Sequence, residues 1–173
     1  MIRLYEIAKA LEEHQRIVIL THENPDGDTL GSAFALYYAL TAMGKQVRVE
    51  NCGPIPTQFS YLTADYRREE FEPDWILAVD VADVKLLGSL RGQYEGKIDC
   101  CIDHHRENRS GAKECYLEST SASTCELIWL CSKPWMRPFL PWWQTACLPE
   151  LLPTPAASSF PTPLPGPIGL PPT

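Results

Sequence analysis

Three short apolar runs, each stopping on an acidic or imidazole side chain, constrain this chain more than any other feature. Ile17-Val18-Ile19-Leu20 leads into Thr21 and His22, Ile76-Leu77-Ala78-Val79 leads into Asp80, and the stretch 98–102 leads into Asp103, His104 and His105. Runs that are apolar throughout, as the first two are, read as strands buried on both faces, and the third is interrupted only by Asp99. Helical patterns separate them. Tyr5, Ile7, Ala8 and Leu11 predict an amphipathic helix over 3–14, and the Ala-rich segment 29–43 predicts a second, closed by Gly44. A strand is expected at 46–50, a helical turn at 84–90, a further strand at 113–117 and a helix over 121–130 with Ser or Thr available to cap it. The class is therefore α/β, a largely parallel sheet flanked by helices, in which ligands gather beyond the carboxyl ends of the strands.

The chemistry-bearing residues fall at those ends. His22-Glu23-Asn24-Pro25-Asp26-Gly27-Asp28 places three potential metal ligands within seven residues, on a turn that Pro25 and Gly27 can bend so that both carboxylates converge. Asp28 can also cap the following helix. Taken singly, each residue has an ordinary explanation: Asp and Asn beside Pro and Gly are turn formers, Asp80 a helix cap or solvated strand end, and His104 with His105 a surface pair. Taken together, three of the four histidines and at least three aspartates would have to collect at strand ends by accident. Carboxylates packed together repel unless a cation neutralises them, and oxygen and imidazole donors suit Mn²⁺ or a similar cation. Two such ions can activate a water and steady the charge on a phosphoryl oxygen, so hydrolysis of a phosphate ester is the leading chemistry. His14 is expected to be a solvated helix residue, and Cys100 and Cys101 to be packing residues in a strand.

These residues resemble three motifs of the DHH phosphoesterase family, named for the triplet present here as Asp103-His104-His105. The first is the string from His22 to Asp28 with Gly31 and Ser32, the second Asp80 with Asp83, and the third the triplet followed by Asn108. The resemblance covers residues 1 to about 130 and points to the branch that degrades very short oligoribonucleotides and dephosphorylates 3'-phosphoadenosine 5'-phosphate. It implies two Mn²⁺ ions per complete site, His22 and Asp26 holding one, Asp28 and His104 the other, and Asp80 bridging both. It further implies that His105 meets substrate phosphate, that Asp103 orients a neighbouring group, that Asp83 caps the turn after the second motif, and that metal-activated water is the nucleophile.

Composition divides the chain at the same place. Of 16 prolines, 12 lie from Pro134 onward, where only Arg137 and Glu150 are charged. The expected organisation is residues 1–131 as the N-terminal part of a DHH catalytic domain, then 132–173 as a Pro-rich tail, with the family's Thr-Asp-Thr-Gly motif and its C-terminal substrate-binding domain absent. Joining the third base of each codon to the first two of the next, from the junction of Pro149 and Glu150, permits Gly, Ile or Val, Thr, Thr, Asp, Thr, Gly, Gly and Phe. A shift of reading frame between residues 129 and 134 is therefore one reading of the tail, and a disordered Pro-rich linker the other.

The net charge of -7 does not favour a broad electrostatic grip on long duplex nucleic acid, though it leaves room for a small local basic site; short RNA or a nucleotide phosphate as substrate is what the family resemblance implies. Seven cysteines without paired spacing read as reduced thiols, and the charged first 15 residues do not read as a secretory signal, so a cytoplasmic protein with no membrane partner is expected. Oligomeric state has no signature. The alternatives to a Mn²⁺-dependent phosphoesterase are a catalytically inactive metal-binding fragment, or a family enzyme acting on pyrophosphate or a cyclic dinucleotide.

Overall fold

The computed structural model describes residues 2–136. Five strands, β1 (Arg16–Leu20), β2 (Gln46–Glu50), β3 (Trp75–Val79), β4 (Cys100–Asp103) and β5 (Glu114–Leu117), form one sheet in the order β2-β1-β3-β4-β5. Every pairing is parallel, with Val18 opposite both Arg48 and Ile76, and Cys101 opposite both Ala78 and Cys115. The helices are α1 (Leu4–Glu13), α2 (Gly27–Ala42), α3 (Arg91–Tyr94) and α4 (Thr124–Met136), with 3-10 segments at Thr57–Thr63 and Val84–Leu90.

The apolar runs are buried on both faces, as their composition demands. Ile17, Ile19, Leu77 and Val79 pack in one cluster with Ile7 and Leu11 of α1, Phe34 of α2 and Ile128 of α4. Val18, Leu20, Ile76 and Ala78 turn the other way, toward Leu87, Tyr94 and Ile98. Each Val, Leu, Ile or Phe side chain removed from water contributes ~1.5–3 kcal/mol before the entropy of ordering is set against it. The strand order reverses direction between β1 and β3, the switch point at which a crevice opens beyond the strand ends.

Three local expectations are corrected. The cap of α2 is Asp26 rather than Asp28: Asp26 Oδ1 accepts from the amides of Asp28 at 3.0 Å and Thr29 at 3.1 Å, so the helix starts at Gly27. His14 is not simply solvated, because it ends α1 and stacks on Trp75 with 5.6 Å between ring centroids. Helix α4 spans Thr124–Met136 where a helix over 121–130 was expected. The linker and frame-shift readings of residues 137–173 lie outside the described residues. Among the described residues no helix is long and apolar enough to cross a membrane.

Candidate metal centre

All seven side chains singled out by the sequence meet at the carboxyl edge of the sheet. β1 ends just before His22, β3 just before Asp80, and β4 on Asp103, with His104 and His105 following. His22 Nε2 lies 3.7 Å from Asp26 Oδ1 and 3.8 Å from Asp80 Oδ2. On the other side of Asp80, His104 Nε2 is 3.8 Å and His105 Nδ1 3.7 Å from Asp80 Oδ1, and His104 Nε2 is 3.4 Å from Asp28 Oδ2. Two groups, His22-Asp26-Asp80 and Asp80-His104-His105, each bring their donor atoms within 4.8 Å of one another.

These separations fit a divalent cation. Donors placed about 2 Å from one ion sit roughly 3–4 Å from each other, and the set of imidazole nitrogens and carboxylate oxygens is one that borderline divalent metals accept. The electrostatics agree. Burial and the neighbouring charges of Asp28, Asp26 and Asp103 push the Asp80 carboxyl up to about 6, against the weaker opposing effect of its hydrogen bond from Thr124. A carboxylate in that setting lacks positive charge, which a bound cation supplies. The His22 imidazole is pulled down by burial but raised overall by its contact with Asp26 and the charge of Asp80, and Asp26 is correspondingly lowered by His22.

The local backbone explains how the carboxylates are held. Asp80 takes a left-handed conformation, φ 59°, the sole non-glycine positive φ among the described residues. Such a conformation is sparsely populated except by Asn and Asp, and here the amide of Asp80 is tied to the carbonyl of Ile102 at 3.0 Å. Asp28 is held by the start of α4, accepting from the amides of Thr124 and Cys125, both at 2.8 Å, where helix N-terminal donors favour a negative charge. Ser123 and Glu126 form the turn that starts this helix, with the Glu126 amide donating to Ser123 Oγ at 3.2 Å.

Asp103 is fully buried, and its carboxylate engages His105 and Asn108. Oδ1 accepts from His105 Nδ1 at 2.7 Å and from the His105 amide at 3.2 Å, and Oδ2 accepts from Asn108 Nδ2 at 2.8 Å. With its Nδ1 proton committed to Asp103, His105 leaves Nε2 for another partner. Burial lowers the His105 imidazole, yet the bond to Asp103 and the charges of Asp103, Asp80 and Asp28 raise it overall. Asp83 Oδ1 accepts from the Lys85 amide at 2.8 Å, capping the turn.

The centre opens onto a cavity of about 230 Å³ lined by His22, Glu23, Asn24, Asp26, Asp80, Leu86 and His105. Leu86, 39% exposed, forms its apolar lip. Sequence reasoning missed Leu86 and Thr124. Leu86 carries no signal beyond its place in a helical turn, and Thr124 reads from sequence merely as one of several capping candidates, although its hydroxyl donates to Asp80 Oδ1 at 3.0 Å.

Fold and site first define a class: parallel α/β proteins that collect aspartates and histidines from successive strand ends into a cation-sized cluster. The chain belongs to the DHH family, whose N-terminal domain model matches residues 16–141. It is similar to the bifunctional oligoribonuclease and PAP phosphatase NrnA of Thermus thermophilus, 30% identical over 126 residues, 71% of this chain and 37% of the relative. The protein of the same name from Mycoplasma genitalium is 28% identical over 130 residues, 71% of this chain and 41% of the relative. The chain thus spans about two fifths of the length of these curated relatives. Its fold is similar to that of an exopolyphosphatase-related protein from Bacteroides fragilis, with a TM-score of 0.63 at 18% identity, covering 87% of this chain and 57% of that one.

Proposed function

We propose that this chain carries the metal-binding part of a Mn²⁺-dependent phosphoesterase acting on short oligoribonucleotides, on 3'-phosphoadenosine 5'-phosphate, or on both. The observation that carries this reading is the pair of cation-sized groups sharing Asp80 at the sheet's switch point. His22 and Asp26 with Asp80 would hold one ion, and His104 with Asp80 and Asp28 the other. Such a pair, when bound, activates water and steadies charge on phosphoryl oxygens. The names of the two curated relatives support the substrate classes.

The chain's own residues supply the rest. Asp103 fixes the His105 ring and its tautomer, so that Nε2 is available to a phosphate oxygen at the open side of the cavity. Within this reading His105 contacts substrate and Asp103 positions it. His105 also falls in the second cation-sized group, whereas Asp28 has both oxygens engaged by α4 amides; the bond of His105 Nδ1 to Asp103 favours the phosphate role for His105. Residues 1–131 would be the first part of the catalytic domain. The six described cysteines are free thiols, which supports a reducing, cytoplasmic setting.

The test is hydrolysis of a diribonucleotide and of 3'-phosphoadenosine 5'-phosphate by the chain, with Mn²⁺ and with a chelator. Turnover that requires Mn²⁺ and is lost in Asp80→Ala is expected. Turnover unaffected by chelation or by that substitution contradicts the two-ion reading, and no turnover of either substrate with Mn²⁺ contradicts the proposed activity of the chain.

A further inference from the structure

Thr124 touches both carboxylates on the inner side of the centre, and it does so with different atoms. Its amide donates to Asp28 Oδ2 at 2.8 Å and its hydroxyl to Asp80 Oδ1 at 3.0 Å. The residue is fully buried, so neither bond is in exchange with bulk water. Asp80 is otherwise restrained through its backbone, by the left-handed φ of 59° and the amide bond to Ile102. The terminal torsion of aspartate is broad, and the histidines around this carboxylate stand 3.7–3.8 Å off, beyond hydrogen-bond distance. The Thr124 hydroxyl, at 3.0 Å, is the hydrogen bond that fixes the torsion. With Oδ1 held, Oδ1 faces His104 and His105 at 3.8 and 3.7 Å, while Oδ2 faces His22 at 3.8 Å.

We propose that Thr124 is a positioning residue of the metal centre, setting which oxygen of Asp80 serves the His22 group and which serves the His104 group. An oxygen that accepts one hydrogen bond keeps a second lone pair for a cation, so the bond orients Asp80 without blocking it. Thr124 is the first residue of α4 and also holds Asp28, so the start of this helix acts as a template against which both carboxylates are aligned. The consequence for metal binding rests on the two-ion reading above; the orientation of Asp80 does not.

Two changes, one isosteric and one that keeps the hydroxyl, separate the hydroxyl from the rest of the side chain. Thr124→Val keeps the shape and the amide bond to Asp28 but removes the donor to Asp80, whereas Thr124→Ser keeps the donor and removes a methyl. In Mn²⁺ titrations of the full chain followed by electron paramagnetic resonance, Thr124→Val is expected to bind the weaker ion about tenfold to a hundredfold less tightly, and Thr124→Ser to bind as the parent does. Parent-like binding by Thr124→Val, or equal weakening in both variants, overturns the proposal. A second arm uses metal-free protein with ¹³C-labelled aspartate, the Asp80 carboxyl resonance being identified by its loss in Asp80→Asn. That resonance should shift or broaden in Thr124→Val and stay in place in Thr124→Ser. If the parent binds no Mn²⁺, the two-ion reading fails, and this arm still decides the role of Thr124: an Asp80 resonance unmoved in Thr124→Val overturns it.

Discussion

At the residue scale, the centre is a set of negative charges held together against their own repulsion. Asp80 is 3% exposed and its carboxyl is raised to about 6 by burial and by Asp28, Asp26 and Asp103. A carboxyl whose folded-state affinity for protons exceeds its unfolded value stabilises the fold when protonated. That contribution is full below the unfolded value of 3.8 and is lost as pH rises through about 6. In metal-free protein, Asp80→Asn should therefore raise stability at pH 7 by on the order of 2 kcal/mol, since the amide keeps the left-handed backbone and removes the charge. Urea unfolding in the presence of a chelator measures this, and the gain should shrink toward pH 4. A gain that persists unchanged at pH 4 would point to packing rather than charge.

The same residues mark what can be read from sequence. His22, Asp80, Asp103 and His104 were legible because each lies within two residues of the end of an apolar run, and strand ends in a parallel sheet converge. The exchange of caps was not. Asp26 and Asp28 are both sound helix caps by residue type, and the fold alone brings the start of α4 to Asp28, leaving Asp26 to cap α2. Thr124 was hidden for the same reason, its partners being 44 residues away or more.

At the scale of elements, the loop from His22 to Asp26 is held by a 3-10 segment and by the turn after β2. The amide of Glu23 donates to the Leu86 carbonyl at 2.7 Å, tying the loop to the Val84–Leu90 segment. Gly53, just after β2, packs so closely that an added Cβ would stand 1.9 Å from the Glu23 carbonyl oxygen. Gly53→Ala must displace one loop or the other, and is expected to destabilise the fold by about 1–3 kcal/mol and to weaken Mn²⁺ binding. Calorimetric titration checks the second effect, and unchanged affinity would show that the displacement stays on the Gly53 side. Behind the centre, Phe34 of α2 is 1% exposed and meets Tyr66 edge-on with 5.4 Å between centroids. Phe34→Ala should lose ~3–5 kcal/mol in urea unfolding.

Strands and long helices were legible because their apolar periodicity is imposed by burial. β2 occupies the expected 46–50, and Val84–Leu90 the expected turn. The segment Thr57–Thr63 and the four-residue α3 escaped, because elements this short bury few side chains, Leu62 and Tyr94 respectively, and leave no period to detect.

At the scale of the molecule, the proposed metal binding would be linked to folding. β1, β3 and β4 each bring candidate ligands to one place, so an ion bound there would resist separation of the strands that carry the core. Mn²⁺ at a hundred times its dissociation constant should raise unfolding free energy by ~2.7 kcal/mol per site, reversed by chelation. An unfolding curve indifferent to Mn²⁺ would mean that the donors are not preorganised as their distances imply.

The most direct measurement is the number of Mn²⁺ ions bound per chain at saturation, by equilibrium dialysis and metal analysis, in the parent and in Asp80→Asn. A centre built on a shared carboxylate predicts two ions in the parent and one or fewer in the variant. Fewer than two in the parent, or two in both proteins, would contradict it.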